Sequence, residues 1–145
     1  MGCKWVFLRK KDEDRNIESY KAQLVAQGFS QKPGMDYSDT GTFAPVMCFE
    51  TLRTMLALAV INSCDMRQMD VKGVYLNSWL KEEIYMKQLA GFDDGSGRVC
   101  QLVRPLYGLK QAGNEWNNEF DEAMKDLMYR NTQSDYCSYR GRTSQ

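Results

Sequence analysis

Gln68-Met-Asp-Val-Lys-Gly-Val-Tyr-Leu-Asn77 places one carboxylate, Asp70, at the end of a short apolar run, followed by a Lys-Gly step and an aromatic ring, Tyr75. A strand-end carboxylate beside backbone that can approach a ligand suits a divalent cation carrying phosphates. Many strands end in Asp for structural reasons alone, so the surrounding segments decide between the two readings. Met66–Val71 is predicted as a buried strand. Before it, Leu52, Met55, Leu56, Ala59 and Val60 recur at helical spacing and predict an amphipathic helix over 51–63, its Met/Leu stripe facing the core.

On the N-terminal side, Trp5-Val-Phe-Leu8 and the alternating segment Ile17 to Phe29 flank a polar stretch and predict a β-hairpin with one solvated face. Pro33, Gly34, Gly41 and Pro45 mark residues 30–46 as a long loop. On the C-terminal side, Ile84-Tyr-Met86 and Val99–Val103 predict a second hairpin around Gly91-Phe-Asp-Asp-Gly-Ser-Gly97. A glycine-interrupted turn over 105–113 then leads into a second helix carrying Trp116, Phe120, Ala123, Met124 and Leu127. Ser138 to Gln145 read as a polar tail. Short antiparallel pairs with helices between them make the fold class α+β.

With 43% hydrophobic and 26% charged residues over 145 positions, the chain can build a core and is not a disordered polyelectrolyte. Basic and acidic residues balance at 19 each, so net charge neither favours nor excludes a polyanionic partner. Residues 1–32 are mildly basic, which fits phosphate contact and fits a solvated hairpin equally. The absence of histidine and of any C-x-x-C pair excludes the common zinc sites and His-dependent nucleophilic catalysis. Five widely spaced cysteines read as reduced thiols of an intracellular, cytoplasmic protein. No apolar run approaches a membrane span.

Local sequence offers few chemical candidates. Asp70 is the carboxylate expected at a strand end, with Asp65 at the strand's start. Asp93-Asp94 resembles a paired-carboxylate site, yet its Gly-Ser-Gly flank reads as a solvated loop, and Glu82-Glu83 as a solvated pair. Lys21 on an alternating strand and Lys110 at the opening of the second helix are the lysines with a defined orientation. Tyr75 is either a core tyrosine or a substrate-facing ring.

Taken in order, Trp5-Val-Phe, Ile17-Glu-Ser-Tyr-Lys-Ala-Gln-Leu-Val-Ala-Gln-Gly-Phe-Ser-Gln31, Thr42-Phe-Ala-Pro-Val46, the opening segment, Glu82-Glu-Ile-Tyr-Met86, Leu106-Tyr-Gly-Leu-Lys-Gln-Ala112 and Glu115-Trp-Asn117 resemble the reverse transcriptase domain of Ty1/copia-type LTR retrotransposons. The resemblance covers nearly the whole chain. It implies a partial right-hand polymerase fold, with fingers plus an incomplete palm and an antiparallel sheet with packed helices. Residues 1–48 and 80–104 are then fingers-like, and 49–79 and 105–145 palm-like, with the helix over 51–63 under the palm sheet. It implies Asp70 as the first catalytic aspartate and Mg²⁺ ligand, with the Val71 carbonyl as a second ligand. Lys72, Gly73 and Val74 would lie along the incoming triphosphate, and Tyr75 would be the ring that excludes a 2′-hydroxyl. Lys21 would reach over the phosphates, and Gly108 would lie in the turn beside nucleotide and template. Partners implied are an RNA or DNA primer–template and deoxynucleoside triphosphates.

The departures are specific. Gln23 stands where the family has arginine, Thr40-Gly41 resembles an insertion, and Cys48, Ser78 and Asn114 replace common family residues. Ser134-Asp-Tyr-Cys-Ser-Tyr139 resembles a family motif that has lost its proline. The Tyr-x-Asp-Asp segment does not occur in these residues, nor do the remaining palm, thumb and RNase H segments. The expectation is a trimmed, catalytically inactive fragment that binds Mg²⁺ weakly. A non-catalytic nucleic-acid-binding remnant is the alternative, and an unrelated metal-dependent phosphotransfer enzyme built around Asp70, with the loop pair Asp93-Asp94 as its second carboxylate cluster, is a third.

Overall fold

The computed structural model describes residues 1–38 and 41–141. The Thr40-Gly41 insertion therefore falls partly outside the described residues. Among the described residues, three two-stranded antiparallel sheets and two α-helices give a mixed α/β structure. β1 (Cys3–Lys11) pairs with β2 (Ile17–Ala26), β3 (Ile84–Lys87) with β4 (Val99–Leu102), and β5 (Tyr129–Asn131) with β6 (Tyr139–Gly141). Helix α1 spans Phe49–Ile61 and α2 spans Ala112–Asp126.

The first hairpin follows its alternation, with Trp5 opposite Leu24 and Phe7 opposite Ala22. It projects from the body, and Phe7 and Tyr20 are about three-quarters exposed. Only its base is anchored. The Ala26 amide donates to the Tyr107 carbonyl at 2.8 Å, and the Gln27 amide to the Gly2 carbonyl at 2.9 Å. At that base two backbones touch. A Cβ at Gly28 would stand 1.8 Å from the Gly108 carbonyl oxygen, and one at Gly108 (φ +93°) would stand 2.1 Å from the Ala26 carbonyl oxygen. Only glycine satisfies both the close approach and the left-handed backbone at Gly108.

A buried amide pair closes the same junction. Gln31 Nε2 donates to Gln111 Oε1 at 2.9 Å, Gln31 Oε1 accepts from the Lys110 amide, and Gln111 Nε2 donates to the Asp36 carbonyl. Each polar atom has a partner, so burial of these side chains costs little. Ala26, Ile84, Leu109 and Ala112 form the small core beside it, with Met1, Tyr75, Leu80, Leu102 and Leu106 packed against them.

Three expectations are corrected. Residues 64–70 contain no strand, and Met69 is 89% exposed. A strand needs a neighbour for its backbone hydrogen bonds, and no described strand pairs with this one. The helix forms as the periodicity predicts, but α1 buries none of its residues, so its Met/Leu stripe lies open and does not form core. The tail also folds back, because β6 pairs with β5 in a hairpin that the short polar sequence did not signal. Asp135 organises that turn. Its carboxylate accepts the Cys137 and Cys48 amides, both at 2.8 Å, and these bonds hold its carboxyl below the usual aspartate range. No described helix is long and apolar enough to cross a membrane.

Gly108→Ala is expected to lower stability by about 2–4 kcal/mol, combining left-handed strain with backbone overlap. Urea unfolding of the variant checks this, and a midpoint unchanged from the parent chain would contradict the close-approach account.

Candidate functional site

The opening segment builds one wall of a cleft. Asp70 and Val71 lie outside any helix or strand, and Gly73 (φ +59°) turns the chain into a short 3₁₀ turn, Val74–Asn77. That turn is fastened from behind. The Ser78 hydroxyl, on a fully buried residue, donates to the Tyr75 carbonyl at 2.9 Å. Asn77 Nδ2 reaches back to the Lys72 and Gly73 carbonyls. Arg104 Nη1 donates to the Leu76 carbonyl at 2.8 Å, while its guanidinium lies 4.0 Å over the Trp79 ring. The Tyr75 ring then leans on Tyr107, with centroids 4.5 Å apart.

Docking of the first hairpin onto Tyr107 closes the second wall. The resulting cavity, about 570 Å³, is lined by Asp70, Val71, Lys72, Gly73 and Tyr75 from the opening segment, by Lys21 to Leu24 of β2, and by Leu76 and Pro105–Tyr107. Two ammonium groups, one carboxylate and two tyrosine rings around one cleft suit a ligand that combines anionic oxygens with a sugar or base.

The fold thus brings together Lys21, Asp70, Val71, Lys72, Gly73 and Tyr75. Two expected residues stand elsewhere. Val74 begins the turn without lining the cleft, and Gly108 packs against Ala26 behind it. Tyr107 and Leu24 are lining residues that sequence reading missed. The motif around Tyr107 was legible, but its pairing with Val25 joins segments far apart in sequence. Gln23, in place of the family's arginine, also lines the cleft. Lys110 is engaged away from it, donating to the Tyr37 hydroxyl at 2.9 Å over the Tyr37 ring.

The residues present do not fit a pair of divalent ions. Among the described residues no three His, Cys, Asp or Glu side chains gather, and Asp70 is the cleft's one carboxylate. Asp94 is committed within its own hairpin loop. Ser96, Gln88 and Arg98 all hold its carboxylate and push its pKa far down, so the Asp93-Asp94 pair brings no carboxylate to the cleft.

Residues 1–144 match the family model described as reverse transcriptase (RNA-dependent DNA polymerase). The chain is 45% identical, over its whole length, to a Retrovirus-related Pol polyprotein from transposon TNT 1-94 of Nicotiana tabacum, covering 11% of that protein. It is 39% identical over 93% of its length to the Retrovirus-related Pol polyprotein from transposon RE1 of Arabidopsis thaliana, covering 9% of it. Similarity extends to the Transposon Ty1-BL Gag-Pol polyprotein of Saccharomyces cerevisiae, at 34% over 77% of the chain and 6% of that protein. The chain thus spans about a tenth or less of the curated relatives it matches. No solved structure matches it.

Loss of the Arg104 guanidinium removes a charge-assisted bond to the turn that carries Tyr75. Arg104→Ala is expected to cost the turn about 1 kcal/mol, read as roughly fivefold faster hydrogen exchange at the Leu76 and Ser78 amides. Unchanged exchange there would show that Arg104 does not hold the turn.

Proposed function

The chain belongs to the reverse transcriptase family of Ty1/copia-type retrotransposons, and from that membership we propose that its cleft is the incoming-nucleotide site of an RNA-directed DNA polymerase. The observation that carries this reading is the convergence of Asp70, Lys72, Gly73 and Tyr75 with Lys21 of β2 around one cavity. In this reading residues 1–48 and 80–104 serve as fingers and 49–79 and 105–145 as part of a palm, a partial right-hand fold. Lys21 and Lys72 neutralise triphosphate oxygens, and the Gly73 backbone lets them approach closely. The Tyr75 ring, braced by Tyr107, stands beneath the sugar and leaves no room for a 2′-hydroxyl.

Divalent-metal chemistry belongs to the family. Asp70, with the Val71 carbonyl, supplies too few ligands for two Mg²⁺ ions, so no catalytic step is assigned to these residues alone. Deoxynucleotide addition to a primer is the reaction of the longer polyprotein in which such a segment works. Saturation-transfer NMR with a deoxynucleoside triphosphate is expected to place it against Tyr75 and Tyr107, with Lys21→Ala weakening binding roughly threefold. Primer extension on an RNA template is expected to be absent for the 145-residue chain. Mg²⁺-dependent extension abolished by Asp70→Asn would overturn that expectation.

A second reading, nucleic-acid binding without catalysis, is favoured by one observation. The protruding first hairpin carries Trp5, Phe7 and Tyr20, all exposed, among Lys4, Arg9, Lys10, Lys11 and Lys21. Exposed rings stack on bases while lysine and arginine neutralise phosphates. Primer–template affinity is then expected to fall steeply with salt in an anisotropy titration. Absence of binding at low salt would remove this reading.

A further inference from the structure

Five cysteines are free, and the nucleotide cleft uses none of them. Two of them meet at one carboxylate. The Cys48 amide donates to one oxygen of Asp135 and the Cys137 amide to the other, each at 2.8 Å. Two amides held on one carboxylate bring the two residues together at Asp135, and a cross-link between them requires Cα atoms about 5.5 Å apart. Asp135 is 6% exposed and also closes its own turn through the Ser138 amide, so this placement is fixed. Cys48 is exposed at the N-cap of α1, and Cys137 is half-buried.

We propose that Cys48 and Cys137 form an oxidisable dithiol site, cross-linked by a peroxide, that fastens the first turn of α1 to the Asp135 turn. The exposed Cys48 sulfur attacks the peroxide, taking one hydroxyl as a sulfenic acid and releasing the other oxygen as water. The Cys137 sulfur then attacks the sulfenic sulfur. The S–S bond forms, and hydroxide leaves with the Cys137 proton as a second water. Two thiols are thereby oxidised and one peroxide is reduced.

Electrostatics support the proximity and the order of events. Burial raises the Cys137 thiol, and the Asp135 carboxylate and the Cys48 thiol raise it further. A thiol kept protonated reacts slowly with peroxide, so Cys137 serves as the resolving group. Covalent closure of so long a loop stabilises chiefly by restricting the unfolded chain. The chain has a competing pair. Cys3 lies close enough to Cys100 to feel its charge, but the Cys3 thiol is directed at the Lys87 carbonyl, 3.8 Å away.

The test is hydrogen peroxide treatment of the purified chain, followed by non-reducing peptide mapping by mass spectrometry. The expected result is a monomer lighter by two hydrogens, a Cys48–Cys137 peptide as the dominant disulfide, and a raised unfolding midpoint that returns on reduction. In Cys137→Ser, Cys48 is expected to persist as a sulfenic acid trapped by dimedone. Three results would each overturn the proposal: a dominant Cys3–Cys100 linkage, disulfide-linked dimers, or a sulfinic acid at Cys48 beside a free Cys137. Mapping of the unsubstituted chain decides among these even where the variant does not fold.

Discussion

The backbone contact between Gly28 and Gly108, with the neighbouring Ala26–Tyr107 hydrogen bond, is the constraint on which the other features depend. It joins a hairpin formed by local alternation to a turn some eighty residues later. Without it β2 would present Lys21 to Leu24 to solvent, and Tyr107 would have no second wall to face. The buried Gln31–Gln111 pair then fixes the angle of the junction, since amide hydrogen bonds tolerate little displacement. Close contact supplies the position and the satisfied polar pair supplies the geometry.

The cleft inherits an asymmetry from this arrangement. Its positive groups come from two walls, Lys21 on the hairpin and Lys72 on the opening segment, whereas its negative charge rests on Asp70 alone. Binding of an anionic ligand and chemistry on that ligand therefore have different requirements. The first needs cations and an aromatic platform, which are present. The second needs several carboxylates close together, which these residues do not assemble. The Asp135 carboxylate is occupied with two amides and joins α1 to the last hairpin.

Helix α1 and the segment after it show how pattern and burial separate. The spacing of Leu52, Met55 and Leu56 correctly predicted a helix, because that periodicity reports local backbone geometry. It also pointed to a buried face, which the described residues do not provide. Asp70 is similar. Its apolar neighbours read as a strand, yet strand formation requires a partner that periodicity cannot reveal. The β5–β6 hairpin was missed for the opposite reason, since three-residue strands carry too few alternations to register.

The sequence by itself determined the first two hairpins, both helices and the family, since local periodicity and ordered motifs are carried by neighbouring residues. It also marked Asp70, Tyr75 and the lysines around them. Tertiary structure decided which of those residues share a cleft, that Gly108 serves the junction and not the lining, and that Cys48 and Cys137 meet at Asp135. Each of these depends on hydrogen bonds and close contacts between segments far apart in the chain. Such contacts form only where two surfaces fit, and no single stretch of sequence specifies both surfaces.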